Sequence, residues 1–278
     1  MYYEKIKLRD YFPGLPEVAP EAEMTLYVPE VSPQINAGLR FPCVVICPGG
    51  GYEHVSDREG EPVALRLIGK GIAAAVVRYS VGDVRYPAQL LQVLAAITYV
   101  RRNSEKLHIQ SDKIAVMGFS AGGHAACSAG LFWQEQAMEE ALGIAHGEDK
   151  PNGMILCYPV ITSGEYAHRG SFQHLLGENP PQELLEKMSL EKQVTEQAPP
   201  AFLWHTAEDG AVPLENSLLL VSALRAKGIS MELHIYPKGH HGMSLCDDTV
   251  NKPEDLSEAA GYCAGWIEHC IRWICEML

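Results

Sequence analysis

The chain has no long apolar run. Its longest, at 43–47 and 72–77, fall far short of the roughly 18 residues that cross a bilayer, so no membrane-spanning helix is expected. It is also poor in basic charge: 22 Lys and Arg stand against 35 Asp and Glu, a net charge of −13. No basic cluster appears, and binding to nucleic acid or anionic lipid draws on clustered Lys and Arg, so both partners are excluded. The opening segment, MYYEKIKLRDYFPGLP, contains nothing like the stretch of about 7 to 15 apolar residues of a secretory signal, and the expected compartment is the cytoplasm. Eight cysteines form no C-x-x-C pair and no His-rich metal spacing, so they read as reduced core thiols, with no metal site. What remains, 278 residues at 47% hydrophobic and 21% charged, is a globular composition that rules out disorder, collagen and coiled coil.

Short apolar runs bounded by turn residues alternate with helical patterns, the signature of a mostly parallel sheet flanked by helices. Strands are expected at 23–28, 42–47, 73–79, 113–118, 153–158, 201–206 and 231–236. Helices are expected at 61–70, 88–104, 121–133, 215–227 and 258–277. The strand interiors CVVIC, AAAVVRY, KIAVMG, GMILCY and AFLWHT are nearly continuous apolar runs, which suits strands buried on both faces. Residues 162–200 break the rhythm: they are polar and carry Asn179-Pro180-Pro181 and Pro199-Pro200. They read as a small cap or lid inserted into a single α/β domain that otherwise spans 1–278.

Gly118-Phe119-Ser120-Ala121-Gly122 follows the strand KIAVM and opens a helix rich in small residues. A G-x-S-x-G pattern placed between a buried strand and a helix is what a nucleophile elbow requires, because side chains two positions either side of the serine would clash. Ser120 is therefore the candidate nucleophile. Acyl transfer through a serine also needs backbone N–H groups aimed at the oxyanion. Ala121, at the start of the new helix, is one candidate donor; Gly50 and Gly51, in the loop Pro48-Gly49-Gly50-Gly51-Tyr52 after the strand FPCVVIC, are the others. That loop lacks the lysine and the spacing of a phosphate cradle.

A serine hydroxyl needs a general base, most often a histidine oriented by a carboxylate. Lys238-Gly239-His240-His241-Gly242 leaves the last expected strand, and His241, directly before Gly242, is the favoured base, with His240 the alternative. The preceding strand ends in Ala207-Glu208-Asp209-Gly210-Ala211-Val212-Pro213. Asp209, in a D-x-x-V-P turn, is the favoured acid and Glu208 the alternative. Tyr52 either lines the substrate cleft or packs beside the glycines, and Tyr158 ends a central strand where it can shape an acyl pocket; both stand as substrate-binding candidates. His124, one turn into the elbow helix, reads as a packed histidine bonded to backbone. His54, Asp57, Arg58 and Glu59 read as a charged surface loop.

Together these residues resemble the α/β-hydrolase superfamily, and within it the bacterial acetyl-esterase and carbohydrate-esterase-like group related to hormone-sensitive lipases. PGGGY at Pro48 stands where many such lipases and esterases show HGGG, and GFSAGGH at Gly118 looks like their elbow. SLEKQVTEQAPP, running into FLWHTAEDGAVPLENS, and later YPKGHHGMSL, are similar to the carbohydrate-esterase-like members. The resemblance implies the α/β-hydrolase fold, Ser120, Asp209 and His241 as a triad, and Gly50, Gly51 and Ala121 as the oxyanion hole. Three positions depart from the group's pattern: Pro48 replaces the motif histidine, Gln92 stands where relatives commonly carry aspartate, and His240 replaces a common glycine.

The expected activity is cofactor-free hydrolysis of a small ester. Short acyl groups, acetyl above all, suit a chain without a large apolar lid, and the resemblance implies acetylated sugars or xylo-oligosaccharides as the alcohol. A prolyl-oligopeptidase-type peptidase shares the triad order but usually carries a separate propeller domain. A non-catalytic hydrolase-like binding protein would not need every catalytic position filled. A dienelactone-hydrolase type would carry cysteine at the elbow.

Overall fold

A computed structural model describes residues 1–252 and 258–278. Its eight strands are β1 (Tyr2–Lys7), β2 (Glu23–Val28), β3 (Phe41–Cys47), β4 (Ala73–Arg78), β5 (Ile109–Phe119), β6 (Gly153–Cys157), β7 (Ala201–Thr206) and β8 (Met231–Tyr236). They form one sheet in the order β1-β2-β4-β3-β5-β6-β7-β8. β1 pairs antiparallel with β2 and β2 antiparallel with β4; every other pairing is parallel. The sequence-based expectation lacked only β1, an edge strand whose charges and tyrosines face outward and whose one buried side chain is Ile6.

Ten helices accompany the sheet: α1 (Pro33–Asn36), α2 (Glu61–Ile68), α3 (Ala88–Arg102), α4 (Ala121–Phe132), α5 (Gln136–Leu142), α6 (Arg169–Leu176), α7 (Gln182–Lys187), α8 (Glu215–Ala226), α9 (Glu258–Cys263) and α10 (Trp266–Met277), counted among the described residues. The single terminal helix expected at 258–277 is two helices, divided at Ala264 and Gly265, where Gly265 and the nearby Gly261 weaken helix propagation. Residues 253–257 and the side chains of Glu258 and Ala259 lie outside this description.

Alternate residues of the inner strands point to opposite faces. Cys43, Val45, Cys47, Val116, Leu156 and Leu203 meet the buried sides of α3, α4 and α8. Val44, Ile46, Met117, Ile155, Phe202 and Trp204 meet α2 and α10. Two dry layers thus sandwich the sheet, and the carboxyl ends of β3, β5, β7 and β8 are left to carry loops. This is the α/β-hydrolase fold. Residues 162–200, between β6 and β7, contribute α6, α7 and a turn of 3₁₀ helix at Leu190–Lys192. No helix among the described residues is long and apolar enough to cross a membrane.

Candidate active site

Ser120 sits between β5 and α4 with φ 54° and ψ −120°, a strained conformation for a residue with a Cβ. Close packing holds it there. A Cβ on Gly118 would lie 2.0 Å from the Gly122 carbonyl oxygen, and one on Gly122 would lie 2.1 Å from the Cys47 carbonyl oxygen. The serine amide donates to the Cys157 carbonyl, and the serine carbonyl accepts from Val160 and His124, so the turn is fixed from both neighbouring segments.

The loops after β7 and β8 bring the other two expected residues to this turn. His241 Nε2 lies 2.7 Å from Ser120 Oγ, and His241 Nδ1 lies 2.6 Å from Asp209 Oδ2. Asp209 Oδ1 accepts from the amides of Ala211 and Val212 at 3.0 and 2.9 Å, fixing the carboxylate. His205 Nε2, buried in β7, stands 3.3 Å from Asp209 Oδ2 while hydrogen-bonded to the Val212 carbonyl. Burial alone would push the Asp209 carboxyl up, but hydrogen bonds from His205, His241 and the Val212 amide, with the His241 charge, hold it well below the usual carboxylate range. The alternatives are engaged elsewhere. Glu208 accepts from the Gly239 amide, and exposed His240 bonds its own chain at the His241 carbonyl.

The oxyanion candidates also meet at this turn. Gly50 (φ 120°) and Gly51 (φ 66°) adopt left-handed backbone, and a Cβ on Gly50 would lie 2.2 Å from the His54 carbonyl oxygen. Ala121 opens α4, where the first amides lack intrahelical acceptors. The Gly49 amide, by contrast, donates to Glu59 Oε2 at 2.8 Å. Gly50 and Gly51 line a cavity of about 320 Å³ with Ser120, His241, His54 and His168.

Of the two substrate-binding candidates, Tyr52 takes its packing alternative, and the structure corrects Tyr158, which does not line the cleft. Tyr52 and Tyr158 are each only 2% exposed and do not line that cavity. The Tyr52 hydroxyl is 2.9 Å from His124 Nδ1, so Tyr52 packs beneath the glycine loop. The Tyr158 hydroxyl donates to Glu59 Oε1 at 2.7 Å and accepts from the Ser244 amide at 3.0 Å, while its ring packs edge-on against His241. Both tyrosines shape the site from behind.

Glu59, expected on a charged surface, is buried. It joins the glycine loop to Tyr158 and, through Tyr158, to the loop carrying His241; Ser244 Oγ completes the tie by donating to the Arg58 carbonyl at 2.7 Å. Nothing in the run DREGE distinguishes this carboxylate from its solvated neighbours, and Asp57 is indeed an exposed partner of Arg78. His124 is packed as expected: Nε2 is 2.9 Å from the Met188 carbonyl, which ties the elbow helix to the inserted segment. Gln92 is structural, holding the Ser80 amide and hydroxyl.

A serine hydroxyl, an imidazole and a buried carboxylate in hydrogen-bonded series can deliver a nucleophile and move its proton. With its serine on a strand-to-helix elbow, such a series in this sheet defines an α/β-hydrolase of the serine type. The BD-FAE family model matches residues 24–224, and the chain belongs to that family. It is 37% identical over 217 residues to endo-1,4-beta-xylanase B of Butyrivibrio fibrisolvens, covering 77% of this chain and 34% of that protein. It is 31% identical over 233 residues to an acetylxylan esterase of Xylanibacter ruminicola, covering 81% and 44% respectively. The chain thus spans less than half the length of these curated relatives. The crystal structure of an acetyl ester-xyloside bifunctional hydrolase from Caldicellulosiruptor lactoaceticus superposes with a TM-score of 0.85 at 37% identity, covering 99% of this chain and 96% of that one.

Proposed function

We propose that this protein is a serine carboxylic-ester hydrolase that removes short acyl groups, acetyl above all, from acetylated sugars such as xylo-oligosaccharides. The observation that carries the reading is the unbroken series from Ser120 Oγ through His241 to Asp209, at 2.7 and 2.6 Å. His241 takes the serine proton as Oγ attacks the ester carbonyl. Asp209 holds the Nδ1–H tautomer and stabilises the imidazolium. The amides of Gly50, Gly51 and Ala121 receive the oxyanion, and removing one such donor typically costs about 10²–10³ in rate. His241 then protonates the leaving alkoxide, and water repeats the sequence on the acyl-enzyme.

The acetylated-sugar substrate is supported by the names of the acetylxylan esterase and the acetyl ester-xyloside hydrolase, and by a cavity lined with Glu53, His54, Ser56, Arg58 and His168 instead of an apolar trough. The cytoplasm, with its reducing poise, is the compartment that suits eight unpaired cysteines.

Hydrolysis of 4-nitrophenyl acetate against the butyrate and octanoate esters tests the reading. Turnover should fall with acyl length and drop by about 10⁴-fold or more in Ser120→Ala. Acetate turnover that survives in Ser120→Ala, or octanoate cleaved as fast as acetate, overturns it.

A further inference from the structure

His168 precedes α6 in the inserted segment and forms its N-terminal cap. Its Nδ1 accepts from the Ser171 amide at 3.3 Å and lies 2.9 Å from Ser171 Oγ. A backbone amide can only donate, so Nδ1 presents a lone pair and the proton of the neutral ring resides on Nε2. Among the described residues, every side-chain hydrogen bond of His168 is made at Nδ1. His168 lines the cavity that holds Ser120 and His241.

The donor is held in place. Phe172 and Leu175 bury the inner side of α6, and His174 Nδ1, on the same helix, is 3.1 Å from the Gly51 carbonyl. The helix carrying His168 is thereby joined to the loop that flanks the nucleophile. Burial, together with the nearby His241 charge, lowers the His168 pKa and keeps the ring neutral. A neutral ring with its proton on Nε2 and its Nδ1 lone pair taken by the Ser171 amide has no free lone pair, so it cannot serve as a second base for Ser120.

We propose that His168 is a specificity-determining residue that donates a hydrogen bond from Nε2–H to a hydroxyl or ring oxygen of the alcohol part of the ester, so that the site selects polyhydroxylated alcohols. The proposal rests on the esterase reading above and adds to it the residue that reads the alcohol. 4-Nitrophenol has no hydroxyl or ring oxygen beside the ester, only a weakly accepting nitro group on the far side of its ring, and so offers His168 no comparable acceptor.

The test compares kcat/KM for acetylated xylobiose with kcat/KM for 4-nitrophenyl acetate in the wild type, His168→Asn and His168→Gln. Asn is a good N-cap and preserves the start of α6, but its amide is too short to reach the cavity. The sugar-to-nitrophenyl ratio should fall at least tenfold in His168→Asn, mainly through KM, and recover most of that loss in His168→Gln, whose amide nitrogen reaches about as far as Nε2. If His168→Asn folds poorly, His168→Met against His168→Gln makes the same comparison. A ratio within twofold of wild type, whether or not both rates fall together, overturns the proposal. A wild-type protein inert towards both esters and unlabelled by a fluorophosphonate overturns the esterase reading first, and this one with it.

Discussion

The carboxylate of Glu59 receives two donors, the Gly49 amide on Oε2 and the Tyr158 hydroxyl on Oε1. Glutamine at this position would set an NH₂ group against one of them, leaving buried donors facing each other at a cost of about 1–3 kcal/mol. Glu59→Gln should therefore lower kcat for 4-nitrophenyl acetate by about 10- to 100-fold, because the glycine loop and the histidine loop lose a common anchor. Asp57→Asn, two residues away on the surface, should stay within about twofold, since its ion pair with Arg78 is exposed. Steady-state kinetics of the two variants checks this, and a Glu59→Gln enzyme with wild-type kcat would remove the anchor role. This contrast also marks what was legible residue by residue. Ser120, Asp209 and His241 are legible because each follows an apolar strand in a loop of recognisable composition. Glu59 and His168 are not, because the importance of Glu59 lies in its partners Tyr158 and Gly49, and that of His168 in the cavity it shares with Ser120 and His241. Tyr52 and Tyr158 show the converse: aromatic residues beside a site read as its lining, whereas their hydroxyls find partners inside the protein.

At the scale of elements, the elbow depends on how closely β3, β5 and α4 approach one another. A Cβ on Gly122 meets the backbone oxygens of Cys47 and Pro48 at 2.1 and 2.4 Å, and neither can move without shifting the glycine loop that follows β3. Gly122→Ala should thus abolish most esterase activity and destabilise the fold by about 1–3 kcal/mol. Gly143→Ala, at the left-handed C-cap of α5 with nothing within 4 Å of its Cβ, should cost only about 1 kcal/mol and retain activity. Thermal melts and 4-nitrophenyl acetate rates on both variants test the difference; equal behaviour would count against a close-packed elbow. Among elements, the inner strands are legible because burial on both faces writes them as continuous apolar runs. β1 escapes notice because an edge strand with one buried side chain has no such run. α5 escapes too, since QAMEEAL is short and buries few residues.

Across the whole molecule, two buried groups tilt stability with pH in opposite directions. His124 is lowered to about 4 by burial, so below its ordinary value of about 6.5 the unfolded chain takes up a proton that the native state refuses; stability is lost as pH falls through that window. Asp149 behaves oppositely. Burial raises it to about 7, its two oxygens have no hydrogen-bond partner among the described residues, and neighbouring Arg101 bonds instead to the carbonyls of Glu148 and Lys150. Its folded value lies above its ordinary carboxylate value of about 3.9, so its favourable contribution is complete below the unfolded value and disappears as pH rises through the folded one. At pH 8 the native state holds a buried charge, offset by nearby Arg101 without a hydrogen bond to it, that asparagine would not carry. Asp149→Asn should therefore stabilise the protein at pH 8, and that gain should shrink by about 2–3 kcal/mol at pH 5, where the wild-type carboxyl is already protonated in the fold. Urea denaturation of both proteins at pH 8, 6 and 5 gives the two curves directly. A gain independent of pH, or one that grows towards acid, would mean that Asp149 stays ionised in the native state and has found a counter-charge.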